Sequence, residues 1–63
     1  MKISSIYTTA NCNINVGTDC EDIQEVTDGN MLSYIITYKR GHKVRMFPIS
    51  IISVQYAKED EDE

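Results

Sequence analysis

Met31-Leu32-Ser33-Tyr34-Ile35-Ile36-Thr37-Tyr38, then Lys39-Arg40-Gly41, then His42-Lys43-Val44-Arg45-Met46-Phe47, is the stretch whose reading decides the fold. β-Branched and aromatic residues crowd both flanks, the types that fit a pleated, half-buried surface. Leu32, Tyr34, Ile36 and Tyr38 share one face of the first flank, and Ser33, Ile35 and Thr37 share the other. A two-residue loop at Arg40-Gly41 would set Ile36 opposite Arg45 and Thr37 opposite Val44, apolar against polar. A three-residue loop, Lys39-Arg40-Gly41, sets Tyr38 opposite His42, Ile36 opposite Val44 and Tyr34 opposite Met46, so that inward residues meet inward residues. Register is strongly specified where one face is buried. The hairpin over residues 31–47 is therefore expected to close through three residues, as a type I turn with Gly41 in a G1 bulge. On that register Lys43 and Arg45 share a face with Thr37, Ile35 and Phe47, while His42 faces Tyr38 on the other.

Working outward, Pro48 lacks a backbone donor and ends or bends the returning strand. Ile52, Val54 and Tyr56 then alternate and read as a third strand of an antiparallel meander. Upstream, Cys12, Ile14 and Val16 alternate with Asn11, Asn13 and Asn15, the pattern of a short or edge strand that Gly17-Thr18-Asp19 turns. Ile3–Ala10 adds a further candidate strand. Residues 18–27 are the best helix candidate, with Thr18 or Asp19 as a cap and acidic residues in the first turn. Only Ile23 and Val26 would give that helix an apolar face, so an irregular or extended segment competes with it. The fold expected is all-β, or β-rich with at most one short helix near 19–27: a small antiparallel meander or barrel-like sheet of four or five strands. It forms one domain over 1–57, followed by an acidic tail at 58–63.

The 63 residues exclude a Rossmann unit, a two-domain cleft or a large enzyme pocket. About 60% of the unfolded chain's surface would be buried, which contributes on the order of 90 kcal/mol. Ordering the chain costs about 95 kcal/mol at roughly 1.5 kcal/mol per residue. The two terms cancel, so burial supplied by self-association or by a partner is the expected supplement.

The net charge of −4 conceals three blocks. Asp19, Glu21, Asp22, Glu25 and Asp28 come first, with no basic residue among them. Lys39, Arg40, Lys43 and Arg45 follow in a stretch without a single acid. Lys58 then leads into Glu59-Asp60-Glu61-Asp62-Glu63. Such blocks mark solvated faces or interaction tails. The N-terminal residues carry no signal-peptide core, and no apolar run reaches membrane-spanning length, so a cytoplasmic setting is expected. Cys12 and Cys20 then read as reduced thiols, with pairing across a hairpin near Val16 as the alternative. With His42 they are too few for a structural zinc site within one chain. No metal or other cofactor is expected.

Little in the chain suggests catalysis. The single His lies far from either Cys in sequence, the three glycines stand alone at turns, and neither H-E-x-x-H nor C-x-x-C occurs. A non-enzyme is expected. The basic hairpin is the most informative constellation, since cations beside aromatic rings suit a phosphate, a nucleotide or a nucleic-acid backbone. If the ligand is anionic, Arg45, Lys43 and Arg40 are the expected charge partners, His42 a secondary donor, and Tyr38 or Tyr34 a stacking or hydroxyl contact. Arg45 stands first, because a mid-strand backbone fixes its direction and its fork grips oxyanions bidentately. Equally, such residues can be ordinary strand cations that discourage aggregation, or can dock on acids of a neighbouring subunit.

The leading expectation is a small, non-enzymatic, homo-oligomeric binding or inhibitory protein holding a small anionic ligand or a host protein at an inter-subunit surface. Its size and acidity suit the sequestering proteins that phages and mobile elements make. The alternatives are a nucleic-acid-binding module using the 39–45 hairpin, and an acidic nucleic-acid mimic that blocks a basic enzyme. No membrane partner is expected.

Overall fold

The computed structural model describes residues 2–57; the acidic tail expected at 58–63 lies outside the described residues. The described residues are all-β, with six strands among them: β1 (Ile3–Thr8), β2 (Asn13–Asn15), β3 (Asp22–Asp28), β4 (Met31–Thr37), β5 (Lys43–Met46) and β6 (Ile51–Tyr56). They form two antiparallel three-stranded sheets, ordered β2-β1-β6 and β3-β4-β5. Ile3, Ile6 and Ile14 from the first sheet meet Ile23, Tyr34 and Ile36 from the second around the buried Cys20. One core thus serves both sheets.

The β4–β5 hairpin has the register that face-matching requires: Tyr34 lies opposite Met46, Ile36 opposite Val44 and Thr37 opposite Lys43. The Tyr38 amide donates to the His42 carbonyl at 2.6 Å, closing a three-residue loop. Its turn is not type I, however. Gly41 has the expected positive φ of 79°, but Arg40 is left-handed too, and its φ of 75° and ψ of 12° are those of the third residue of a type II turn. That position favours glycine, because a Cβ there meets the following carbonyl. Gly41→Ala is expected to lower stability by about 1 kcal/mol through backbone strain alone, since a Cβ at Gly41 would touch nothing within 4 Å. Arg40→Gly relieves similar strain and should leave stability unchanged or raised; a urea titration of both variants checks the pair.

Residues 22–28 form strand β3, not a helix. Gly29-Asn30 joins β3 to β4 as a two-residue hairpin, with positive φ at Gly29 only, the sign pattern of a type II′ turn. Strand alternation in β3 is hidden because Glu25 occupies an inward position. At the rim of the core its Oε1 accepts a 2.9 Å hydrogen bond from the Tyr56 hydroxyl, tying β3 to β6. Two outward-leaning acids and an inward one leave only Ile23 and Val26 as apolar markers, three residues apart.

The meander also differs from expectation, for Pro48 carries the chain through a single 3-10 turn (Pro48–Ser50) into the other sheet. There β6 pairs with β1. The third meander strand is β3, so six strands in two sheets replace a single sheet of four or five. Register shifts beside Ser4 and Ile52 interrupt the β1–β6 ladder. They explain why Ile3 and Ile6 both face the core, and why Ile51 and Val54 pack inward while Ile52 is exposed. β2 is a three-residue edge strand, in keeping with its asparagines.

Candidate functional site

Strand alternation sorts the β3-β4-β5 sheet into an inner and an outer face. Outside, the ladders build one row of Asp22, Thr37 and Lys43 and a second of Gln24, Ile35 and Arg45. Val26 and Ser33 begin a third row, but Ser33 is only 2% exposed, so that end of the face is already covered within the chain. Lys43 and Arg45 are exposed, Ile35 and Val26 half-buried, and Phe47 is 39% exposed. An apolar centre therefore carries cations along its β5 edge and a carboxylate and an amide along its β3 edge.

Of the six candidate residues, Arg45 and Lys43 come together on this outer face. Arg40 stands apart, exposed at the hairpin tip. His42 and Tyr38 lie on the reverse face, with ring centroids 6.1 Å apart. Tyr34 is a core residue, 6% exposed. The aromatic contacts read from the sequence thus point away from the two strand cations, and the six do not form one pocket. What the sequence reading missed are the β3 neighbours, Asp22, Gln24 and Val26. Their signal was Gly29-Asn30 standing between two strand-like runs.

An ion pair between Arg45 and the acidic block of its own chain is hindered, because β4 separates the two edges by two strand spacings, roughly 10 Å. An open groove along β3, lined by Lys2, Glu21, Asp22, Ile23, Gln24 and Glu25, is acidic and suits a cation rather than an anion.

Cys12 is exposed and Cys20 buried, both as free thiols. Burial pushes the Cys20 thiol above its ordinary value, outweighing the backbone hydrogen bond from Asp22. A raised thiol is a poor nucleophile at neutral pH. Among the described residues no three His, Cys, Asp or Glu side chains cluster as metal ligands.

Tyr38 is also raised, first by burial and then by the anionic forms of Cys20, Cys12 and Asp19. Tyr56 is raised by its hydrogen bond to Glu25, an interaction that ionisation of the phenol would end. All three groups are held neutral by the fold. Each contributes stability that is complete below its unfolded-state value and is lost as pH rises towards its higher folded-state value. The melting temperature is therefore expected to fall from about pH 9 upward, beginning with Cys20. Tyr56→Phe should make that decline shallower above about pH 10 in a thermal melt series.

No protein-family model matches the chain, and neither a curated protein nor a solved structure is significantly similar to it. Among the described residues, no helix is long and apolar enough to cross a membrane.

Proposed function

We propose that this chain is a small, non-catalytic, self-associating binding protein that holds an anionic group on the outer face of its β3-β4-β5 sheet. The observation that carries the reading is the pairing of exposed Lys43 and Arg45 with the half-buried Ile35 on one sheet face. An apolar surface favours a macromolecular or subunit contact, and a guanidinium on a mid-strand backbone beside it offers a bidentate grip on phosphate or carboxylate. A sequestering or inhibitory role in the cytosol, of the kind mobile elements encode, fits this chemistry.

Native mass spectrometry of the purified protein, followed by titration with inorganic phosphate and a short polyphosphate, tests the proposal. Arg45→Ala is expected to weaken anion binding at least about tenfold, the equivalent of one charged hydrogen bond, with an unchanged melting temperature. A lowered melting temperature with unchanged affinity assigns Arg45 a structural role instead.

Nucleic-acid binding is the second reading, favoured by the exposed line of cations from Arg40 at the tip to Lys43 and Arg45. The reversed orientation of Tyr38 weakens it, since single strands are held by stacking as well as by charge. A mobility shift that disappears with salt and with Arg40→Ala plus Lys43→Ala would select it. The acidic-mimic reading keeps Asp22, Glu25 and Asp28 on one edge strand, and is tested by binding to a basic enzyme before and after residues 59–63 are deleted.

A further inference from the structure

The outer face of the β3-β4-β5 sheet is complementary to itself, and we infer that two copies of the chain pack this face against one another about a two-fold axis running parallel to β4. The inference rests on the self-association proposed above and names its surface.

The rows decide the geometry. Asp22-Thr37-Lys43 and Gln24-Ile35-Arg45 each run from the β3 edge to the β5 edge. An axis along β4 keeps every row over itself and exchanges its ends. Lys43 then lies over the partner's Asp22, Arg45 over the partner's Gln24, and Ile35 over the partner's Ile35. At both seams Lys43 meets a carboxylate, and at the centre Ile35 meets Ile35.

The other isologous arrangements lose this match. An axis across the strands lays β3 on β3 and β5 on β5, carboxylate against carboxylate and cation against cation. Pairing the free edges about a two-fold, β3 with β3 or β5 with β5, has the same fault. Joining β5 of one copy to β3 of the next does satisfy the charges, but it is head-to-tail and generates rings or open chains rather than dimers.

Stacked sheets lie about 10 Å apart, within reach of Lys43 and Asp22 side chains, and cross at about 30°. Row matching is therefore best at the middle row, that of Ile35 and Arg45. Arg45 meets an amide there, not a carboxylate. Its charge stays uncompensated at each seam, which is where an oxyanion would sit. Three strands give a face of only about 14 by 20 Å, roughly 600 Å² buried between two copies and below the about 1,000 Å² of stable specific interfaces, so the dimer is expected to be weak and concentration-dependent.

Sedimentation equilibrium of the full chain between about 10 µM and 1 mM tests this, a range spanning weak association. The wild type should pass from monomer to dimer. Lys43→Glu and Asp22→Lys should each weaken the dimer at least about tenfold, and the double exchange should restore it, with circular dichroism verifying the fold of every variant. In the wild type itself, concentration-dependent amide shifts should fall on Asp22, Gln24, Ile35, Lys43 and Arg45 and spare β1, β2 and β6, a readout that needs no variant. A monomer at 1 mM overturns both this inference and the self-association beneath it. A dimer indifferent to either reversal, or shifts centred on β1, β2 or β6, leaves self-association standing and overturns this face. Species larger than dimers overturn the two-fold in favour of head-to-tail edge pairing.

Discussion

Ile36→Ala is expected to cost about 3 kcal/mol, whereas Ile35→Ala, one residue earlier, is expected to cost about 1 kcal/mol or less. The two side chains differ only in the face they occupy. Ile36 is fully buried, paired across the ladders with Ile23 and Val44 in the layer where the two sheets meet. Its replacement leaves a cavity beside residues whose strands are fixed by hydrogen bonds on both sides, so the site collapses little. Ile35 lies between Gln24 and Arg45 on the outer face and loses only part of its burial. For a domain of this length the whole stability is of the order of 3–9 kcal/mol. Ile36→Ala therefore removes a third of it or more, and the variant should be largely unfolded well below the wild-type melting temperature. Urea titrations at low protein concentration, where self-association contributes nothing, give the comparison. Equal costs at the two positions would contradict the assignment of inner and outer faces.

That assignment was legible in the sequence for β4 and β5 because both strands alternate cleanly and one loop length alone matches their faces. It was not legible for β3, where Glu25 takes an inward position at the exposed rim, bonded to the Tyr56 hydroxyl. Tyr56 is far away in sequence, and no local pattern announces the contact. The N-terminal strand was legible within Ile3–Ala10, but its inward face was not. An irregularity at Ser4 puts Ile3 and Ile6 on one face at a three-residue spacing that strand alternation does not give. The switch of sheets at Pro48 could be read as a bend, but not as a change of partner, because strand order depends on contacts that close only when β1 is in place.

The candidate site divides along the same line. Its charges, Lys43 and Arg45, were visible as a local pattern. Its neighbours, Asp22, Gln24 and Val26, come from a strand whose position follows from Gly29-Asn30. The surface they make together exists only in the assembled sheet.

Tyr34→Ala is expected to cost about 3–4 kcal/mol, and so to have the opposite profile to Arg45→Ala. Sequence chemistry offered Tyr34 as an aromatic contact for an anion beside Arg45. In the fold its ring points inward, opposite Met46 on one side and Glu25 on the other, and Arg45 lies on the reverse face. Its cross-strand neighbour Glu25 accepts a hydrogen bond from the Tyr56 hydroxyl at 2.9 Å, which closes the rim between the sheets. Truncation to alanine empties a ring-sized volume from the core and removes a partner of that rim. Tyr34→Phe keeps the ring, the Tyr56–Glu25 hydrogen bond and the packing, and should cost about 1 kcal/mol or less. Because the ring cannot reach the outer face, Tyr34→Phe should bind phosphate as the wild type does. A thermal melt and a phosphate titration on the same three proteins separate the roles. Loss of anion affinity in Tyr34→Phe with an unchanged melting temperature would return Tyr34 to the site and place the ligand on the inner rim, away from Lys43 and Arg45.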